Sequence, residues 1–351
     1  MDNKKQEALV ASGMGRYLLS QDVPVPTVKP DTILCRVVAV ALNPADWKMV
    51  DFSATPGAVG GNDFAGEVIE VGEEVTRFHK GDRVFAMTFG LNPNGKHTGA
   101  FGRYALATAD LACKVPMGIS WEEAASLGLA IGTAGTALYH ALRLPMPDSP
   151  AKQPHYVLIS GGATATGTVA IQLLKASGLT PIVTCSPNHR ELVLSLGAEE
   201  AFDYQSATCA TEIRNYTNNT LEHVLDCVTE AASMTLCYEA IGSAGGHYIA
   251  LDPFPTHIQY TRRDIKAEWL MIYSLFGEPV KLDGVYGRPA RPQDRDFAAK
   301  LFPLVEGLLH EGRLQPHPIE IRHGGLGAIE RGIEELRKGQ VRGKKLAYPL
   351  A

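Results

Sequence analysis

The sequence predicts an α/β protein of two parts, a mostly β domain and a doubly wound parallel sheet. Its 351 residues exceed what one hydrophobic core usually serves, and this length favours about two domains. Short alternating or β-branched runs separated by Gly, Pro and Asp fill residues 32–115. From residue 155 onward, runs of strand length alternate with helical patterns, which is typical of a parallel sheet with helical crossovers.

The first domain is predicted as a β barrel or roll. Its candidate strands read "ILCRVVAVALN", "FAGEVIEVG", "GDRVFAM" and "FGRYALATADLACKVP". Residues 121–143 then change to small and apolar residues at helical spacing. Ser120, with Glu123 three residues later, is a capping box that predicts where this helical region begins.

The second domain follows as alternating strands and helices. The predicted strands are "HYVLIS", "TPIVTCS", "LEHVLDCV" and "GHYIALD", and the helices are "GTVAIQLLKASG", "HRELVLSLGA" and "ASMTLCYEAIGSAG". Gly178 is predicted to end the first helix. The stretch from Pro253 to Arg295 is predicted as a long irregular loop. Two helices, "DFAAKLFPLVEGLLHEGRL" and "GLGAIERGIEELRKG", and two strands, "HPIEIR" and "GKKLAYPL", complete the chain.

The composition excludes several classes of partner. Hydrophobic residues make up 45% and charged residues 20%, and the net charge of −5 comes without a basic stripe for nucleic acid or membrane surfaces. The polar first residues and the lack of long apolar runs predict a cytoplasmic protein without membrane spans. Six scattered cysteines without a CxxC pair predict free thiols.

Residues 159–178, "ISGGATATGTVAIQLLKASG", predict a nucleotide site where a strand turns into a helix. Gly162 and Gly167 match the first and third glycines of a dinucleotide fingerprint, and Thr164 stands where the middle glycine belongs. Such a turn binds pyrophosphate through free backbone N–H groups and the helix dipole. Thr164 would displace the phosphates outward or donate its hydroxyl to them, as Thr166 would. The alternative is a glycine turn kept for helix packing.

The end of the second strand predicts which cofactor binds. An NAD site requires an acidic residue there for the ribose 2′-OH, and that carboxylate would repel a 2′-phosphate. The chain reads "TCSPNHRE", with no acid before Glu191. Hydroxyl, amide and cationic donors in this turn favour NADP(H). A polar turn with a solvated Arg190 is the alternative.

Zinc ligands are missing where a zinc alcohol dehydrogenase would carry them. The corresponding positions read "ALNPADWKMV" and "GGNDFAGEV", without the Cys and His pattern of a catalytic zinc, and the four close cysteines of a structural zinc are lacking. Without a Lewis acid, the favoured reaction is hydride delivery to an already polarised double bond.

The whole chain resembles the zinc-independent medium-chain dehydrogenase/reductase superfamily, through "NPADWK", "GGNDFAGEVIEVGEEVTRFHKGDRVFA", the glycine turn and "LGAEEAFDY". Further segments resemble the trans-acting enoyl reductases of fungal highly reducing polyketide synthases, of the lovastatin-pathway type: "GGATATGTVAIQ", "TCSPNH", "AIGSAGGHYIALDPFP" and "VYGRP". The resemblance implies a GroES-like β-barrel catalytic domain in residues 1–128 and 276–351. It places a Rossmann NADP-binding domain in residues 129–275.

The resemblance also implies a set of site residues. Lys48 is the candidate catalytic residue, with a solvated surface lysine as the alternative, and Tyr204 is either a cofactor contact or a core ring. The implied cofactor-binding residues are Ala45, Asp46, Trp47, Lys48, Ala163, Thr164, Ala165, Thr166, Ser186, Pro187, Asn188, His189, Tyr204, Leu251, Asp252, Val341 and Arg342.

Two segments are implied as substrate-binding. They comprise Thr133, Ala134, Gly135, Thr136, Ala137, Leu138, Tyr139 and His140, and Ile272, Tyr273, Ser274, Leu275 and Phe276. The first segment also fits a buried helix. At Ile272 and Tyr273 this chain has bulky residues where the resemblance leads one to expect small ones.

The predicted function is an NADPH-dependent enoyl reductase. It would transfer a hydride to the β carbon of α,β-unsaturated polyketide thioesters carried on the acyl carrier protein of a fungal polyketide synthase, or of a synthase–peptide synthetase hybrid. The resemblance implies a monomer that works with the synthase and holds no metal. Two alternatives stay open: a zinc-independent quinone or enone reductase acting on free small molecules, and a non-catalytic NADPH-binding partner of a synthase.

Overall fold

The computed structural model describes residues 4–350, which form two compact units. Unit 1 takes in the residues up to Gly132, the segment Tyr273–His310 and the residues from Pro316 onward. Unit 2 is Thr133–Ile272 with the short segment Glu311–Gln315. The domain boundaries implied by the resemblance, after residues 128 and 275, stay a prediction.

Unit 1 is built on a seven-stranded sheet. In the order in which they pair, six of its strands are β14 (Ile319–Ile321), β15 (Lys345–Pro349), β3 (Thr32–Ala41), β4 (Asp63–Val71), β5 (Arg83–Met87) and β7 (Ala112–Lys114), while β6 (Tyr104–Thr108) pairs with β3. The helices that begin in this unit are α1 (Pro44–Phe52), α2 (Trp121–Ala125), α3 (Gly128–Gly135), α9 (Pro292–His310) and α10 (Ile329–Arg337). The predicted strands of this domain and the last two predicted helices are confirmed, except that the run "FGRYALATADLACKVP" forms two strands, β6 and β7, with a short 3₁₀ turn between them.

An antiparallel pair of strands that the sequence analysis missed precedes this sheet. It consists of β1 (Lys5–Gly13) and β2 (Arg16–Pro24). Most of β2 is exposed, so the strand lacks the alternation of apolar and polar residues on which the prediction depended. A small apolar cluster contributed by β1, β2 and Val59 holds the pair in unit 1.

The helical region after Ser120 is confirmed at its start but is not one helix. The Ser120 Oγ accepts from the Glu123 N–H at 3.2 Å, and a Glu123 carboxylate oxygen accepts from the Ser120 N–H at 2.9 Å. The helix is interrupted after Ala125 and begins again at Gly128. A side chain at Gly128 would come within 2.7 Å of the backbone of β5, so the close approach of this turn to the sheet requires glycine.

Unit 2 is a parallel sheet of six strands, which confirms the predicted doubly wound fold. Its order is β10 (Glu200–Asp203), β9 (Thr180–Cys185), β8 (Tyr156–Ser160), β11 (His223–Asp226), β12 (Gly246–Ala250) and β13 (Ile265–Trp269). Its helices are α4 (Ala165–Ala176), α5 (Arg190–Ser195), α6 (Cys209–Tyr216), α7 (Ala231–Ala240) and α8 (Thr256–Gln259). After α4, Gly178 adopts φ +71°, the left-handed conformation of a helix C-terminus.

The edge strand β13 lies inside the stretch predicted as an irregular loop. Within residues 4–350 it pairs with β12 alone, and along it an exposed residue alternates with a more buried one. Lys266 and Glu268 point to solvent and form an ion pair at 2.8 Å. Charge at a sheet edge discourages pairing with other chains. The alternation of apolar and charged residues in Ile265–Trp269 was the available signal for this strand. The α8 helix also lies in this stretch.

Two further observations bear on the composition. All six cysteines are free thiols, and five of them are buried. Across residues 4–350, no helix is both long and apolar enough to cross a lipid bilayer.

Three histidines meet at the amino-terminal edge of the unit 2 sheet. His223 begins β11, and its ring centroid lies 5.4 Å from that of His155 and 6.0 Å from that of His247. The Nδ1 atoms of His223 and His247 are buried and have no hydrogen-bond partner within residues 4–350. Burial, together with repulsion from the two other rings, lowers the pKa of His223 to about 4. The ring is therefore held neutral in the fold.

This histidine is expected to make folding sensitive to mild acid. Between its ordinary pKa of 6.5 and about 4, the unfolded chain binds a proton that the folded chain excludes, so the free energy of unfolding falls as pH falls through this window. Urea unfolding of wild type and His223→Asn at pH 7 and pH 5 measures the effect. The variant should lose less stability between the two pH values than wild type. His310→Asn, at an exposed position that ends α9, is the control and should lose as much stability between the two pH values as wild type. An equal loss of stability in all three proteins would show that His223 does not cause the pH dependence.

Candidate functional site

The glycine turn of unit 2 joins β8 to α4 and has room only for glycine at two positions. A Cβ at Gly162 would lie 2.6 Å from the Val183 Cβ, and one at Gly167 would lie 2.4 Å from the Gly161 carbonyl oxygen. Gly161 itself adopts φ +80°. The backbone thus turns tightly enough to present the first N–H groups of α4 at the carboxyl edge of the sheet.

Thr164 is the N-cap of α4. Its Oγ1 accepts from the Gly167 N–H at 3.0 Å and donates to the Gly161 carbonyl at 2.9 Å. The Thr164 hydroxyl therefore donates its proton within the turn. This differs from the expectation that it would donate to a phosphate. Threonine is a normal N-cap residue, so its place in the fingerprint has a structural reason.

The same turn has the donors that an anion requires. Within residues 4–350, the N–H groups of Ala163, Ala165 and Thr166 and the Thr166 hydroxyl donate to no other group. They stand at the N-terminus of a twelve-residue helix, which is the positive end of its dipole. The residues present therefore fit the pyrophosphate of a dinucleotide.

The neighbouring strand β9 ends in a polar turn. The Ser186 hydroxyl and the His189 Nδ1 lie 2.8 Å apart, and the Asn188 side chain is exposed. Tyr204 follows β10, whose last residue pairs with the last residue of β9, and the Tyr204 side chain is 45% exposed, which argues against a core ring. These residues leave the sheet at the same edge as the glycine turn.

Two charged residues near this turn differ from expectation. The Arg190 guanidinium donates to the Ala201 carbonyl and to the Glu200 carboxylate, so it fastens α5 to β10 and is not simply solvated. Asp203, at the end of β10, lies opposite Cys185. An acid contributed by this adjacent strand cannot be seen along the chain directly after β9.

The other predicted residues of unit 2 divide into two groups. Leu251 and Asp252 follow β12, also at the carboxyl edge, and the Leu251 N–H donates to the Thr229 hydroxyl at 3.1 Å. Residues 133–140 run through the end of α3 and a π-helical turn, Thr136–Ala141, and most are buried. The Tyr139 hydroxyl contacts the Leu173 carbonyl and the Ser177 hydroxyl, at the opposite end of α4 from the glycine turn. For Tyr139 the buried-helix alternative describes what is observed.

In unit 1, residues 45–48 form the first turn of α1, a helix that the sequence analysis did not predict. Trp47 and Lys48 are partly exposed, and the Lys48 ammonium lies 5.8 Å from the centre of the Trp47 ring. Asp46 is only 1% exposed, and its side chain is directed into the unit. The helix start was legible in "NPAD", because Asn43 precedes a proline at N1 and an acid at N3.

The remaining predicted residues of unit 1 occupy two loops. Val341 and Arg342 lie between α10 and β15, and the Arg342 side chain is exposed. Residues 273–276 belong to a short 3₁₀ turn, Ile272–Phe276, whose first residue belongs to unit 2, and in it Tyr273, Ser274 and Leu275 are buried. The Tyr273 ring stacks on Phe89 with centroids 4.1 Å apart.

Four residues that the sequence analysis did not single out complete a buried polar network beside Asp46: Asn43, Asn62, Asp63 and Lys345. The Lys345 ammonium donates to the Asp63 carboxylate at 2.6 Å, and the Asn43 amide donates to the same oxygen at 2.9 Å. Burial raises the pKa of Asp46 to about 7, against the opposing effect of its hydrogen bonds. The available signal for this network in the sequence was the presence of polar residues beside the apolar runs of the predicted strands.

No three His, Cys, Asp or Glu side chains of residues 4–350 are grouped so that they could hold a metal ion. The prediction of zinc-independent chemistry continues to rest on the sequence. The site residues implied by the resemblance also stay predictions, and the structure gathers those of unit 2 that follow β8, β9, β10 and β12 at one sheet edge.

Two family models match the chain. The alcohol dehydrogenase GroES-like domain matches residues 29–117, and the zinc-binding dehydrogenase domain matches residues 165–251. Among solved structures, the CurK enoyl reductase covers 99% of this chain with a TM-score of 0.77 at 18% identity, and 100% of that chain is covered. At this identity the likeness establishes the fold alone.

Curated relatives are much closer in sequence. A trans-enoyl reductase of Gibberella fujikuroi is 54% identical over 98% of this chain and 99% of its own length. The trans-enoyl reductase grgB of a Penicillium species is 48% identical over 98% of both chains. The chain therefore belongs to the trans-enoyl reductases, nicotinamide-dependent enoyl reductases of the medium-chain dehydrogenase/reductase superfamily.

Proposed function

We propose that this enzyme uses NADPH to reduce α,β-unsaturated polyketide thioesters while they are attached to the acyl carrier protein of a polyketide synthase. The observation that carries the cofactor proposal is the pairing of free N–H groups at the glycine turn with a polar, acid-free turn after β9. The names of the curated relatives support the synthase as partner. The predicted monomeric state and cytoplasmic location belong to the same proposal.

Different segments of unit 2 would then bind different parts of the cofactor. The N–H groups of Ala163, Ala165 and Thr166 would hold the pyrophosphate, and the turn Ser186–His189 with Tyr204 would hold the 2′-phosphate. Leu251 and Asp252 would lie along the nicotinamide. The bound nicotinamide supplies the hydride, which adds to the β carbon of the thioester.

The residues of unit 1 would act on the substrate. Lys48, at the partly exposed face of α1, would donate to the thioester carbonyl, where negative charge develops as hydride arrives at the β carbon. A proton taken from water by the α carbon would then complete the reduction. Val341, Arg342 and residues 273–276 would border this region.

Purified enzyme given NADPH and an enoyl thioester tests the proposal directly. We expect NADPH oxidation with a pantetheine-linked enoyl thioester, and faster oxidation when the same acyl group is attached to the carrier protein of a synthase. Faster turnover of free quinones or enones would favour the quinone reductase alternative. NADPH binding without oxidation of any of these substrates would favour the non-catalytic partner.

Replacing Lys48 by methionine is expected to slow this reduction. A hydrogen bond from a charged donor contributes about 1.5 kcal/mol, so kcat/KM for the enoyl thioester should fall about tenfold. Steady-state kinetics measures the change, and NADPH fluorescence should show that the cofactor still binds. Lys300→Met, at an exposed position of α9, is the matched control and should match wild type. Wild-type kinetics in Lys48→Met would leave Lys48 as a surface residue.

A further inference from the structure

A chain of buried hydrogen bonds in unit 1 connects α1 to Tyr273. The Tyr273 hydroxyl lies 2.9 Å from the Asn62 Oδ1, and the Asn62 Nδ2 donates to the Asp46 Oδ1 at 2.6 Å. The second Asp46 oxygen accepts from the Asn43 N–H at 2.7 Å, just before α1. Tyr273 is 4% exposed, while Asn62 and Asp46 are each 1% exposed, so water does not substitute for these bonds.

Asn62 holds one orientation in this chain. Its Oδ1 also accepts from the Gly90 N–H at 3.2 Å, while its Nδ2 faces the carboxylate. Turning the amide over would place its NH₂ against the Gly90 N–H and its oxygen against Asp46. The amide therefore transmits the position of one end of the chain to the other.

Both ends of the chain lie beside residues proposed to act in the reaction. Asp46 directly precedes Trp47 and Lys48 on α1. Tyr273 is the second residue of the turn Ile272–Phe276. Its ring stacks on Phe89, which also contacts the Phe276 ring at a centroid distance of 5.9 Å. A change at either end would move a proposed catalytic lysine or this aromatic cluster.

The charges around Asp46 come from several elements. Asp63 of β4 and Lys345 of β15 form a buried ion pair, and Tyr17 of β2 donates its hydroxyl to the Asp46 carbonyl at 2.8 Å. Beyond Tyr17, Arg337 of α10 pairs with Asp51 of α1 and with Glu334. Lys345 thus balances the charge of Asp63, and Asp46 is the other buried carboxylate.

We propose that Asp46, Asn62 and Tyr273 form a positioning chain of hydrogen bonds. This chain fixes the position of α1, and with it Lys48, relative to Tyr273. The chain requires Asp46 as a carboxylate, because both of its oxygens face N–H donors and a proton on either would oppose one of them. None of the three residues needs to touch the substrate. The expected consequence is a turnover rate that depends on the ionisation of Asp46, and this consequence rests on the proposed function.

The sign of this dependence follows from the burial of Asp46. With its pKa raised to about 7, Asp46 gains a proton as the pH falls below neutrality and the chain opens. Turnover should therefore be highest above pH 7 and decline through that region on acidification. The Asp46→Asn variant should lack this decline, because its amide opposes one of the donors at every pH.

Two variants test the chain through the kinetics. Tyr273→Phe keeps the stacked ring and removes only the hydroxyl. It should lower kcat about three- to tenfold while the Kd for NADPH stays unchanged. Asp46→Asn should remove the pH step in kcat near 7. Gln172→Met is the control: this α4 residue also has a buried side-chain amide with three hydrogen bonds, and its loss should affect stability but neither kcat nor the pH profile.

A second measurement monitors the positioning chain in the absence of substrate. In a background with Trp121→Phe and Trp269→Phe, the fluorescence of Trp47 reports on α1 next to Asp46. Its emission should change in one step near pH 7, and Asp46→Asn should abolish the step. A pH-independent emission, or a step that persists in Asp46→Asn, would overturn the proposal. If this step is seen but wild type reduces no enoyl thioester, the positioning chain stands and the proposed function fails.

Discussion

Replacing Gly167 by alanine is expected to weaken cofactor binding. The new Cβ would lie 2.4 Å from the Gly161 carbonyl oxygen and 2.8 Å from that of Gly162, and both are backbone atoms that move only with the turn. Such overpacking costs about 1–3 kcal/mol of stability. Widening the turn would also displace the N–H groups of Ala163, Ala165 and Thr166, so the Kd for NADPH should rise by about tenfold or more.

Isothermal titration with NADPH and thermal unfolding measure the two effects of Gly167→Ala. The matched control is Gly307→Ala in α9, where a Cβ would meet no atom within 4 Å. Because alanine favours helix over glycine by about 1 kcal/mol, this control should be as stable as wild type or slightly more so, with unchanged affinity. An affinity for NADPH that survives Gly167→Ala would mean that the phosphates bind elsewhere.

The substitution Ser186→Asp is expected to reverse the preference between NADPH and NADH. It would place a carboxylate directly after β9, where NAD-binding folds carry the acid that accepts from the ribose 2′-OH. A like-charge contact with the 2′-phosphate costs about 3 kcal/mol, so the ratio of kcat/KM for NADPH to that for NADH should fall about a hundredfold.

The control for this substitution is Ser195→Asp, an equal change at an exposed position that ends α5. It should keep the wild-type ratio of the two cofactors. If Ser186→Asp also keeps that ratio, the turn Ser186–His189 does not hold the 2′-phosphate. In that case Asp203, on the adjacent strand, would be the next residue to replace.

Local sequence patterns were sufficient for most of unit 2 and for parts of unit 1. The glycine turn, the capping box at Ser120 and the left-handed glycine after α4 are decided by residues within a few positions of one another. Buried parallel strands were also legible, because they are continuous apolar runs between helical patterns. The family resemblance drew on the same local segments.

Several elements were missed. The strand β2 is mostly exposed and pairs with β1, and the edge strand β13 is only five residues long and pairs with β12. The interruption of the helix before Gly128 is imposed by the backbone of β5. For β13 and for this helix, the partner lies outside the local window in which periodicity is measured, whereas β2 pairs with the strand directly before it.

The sequence by itself determined the fold class, the glycine turn with its helix and the polar turn after β9, since each depends on neighbouring residues and their local conformations. Only the tertiary structure decided what the polar residues do. It directed Asp46 away from the surface and joined Asp63 to Lys345 across 282 positions of the chain. The physical reason is that a buried polar group must find a partner wherever the fold places one, and sequence distance does not limit that choice.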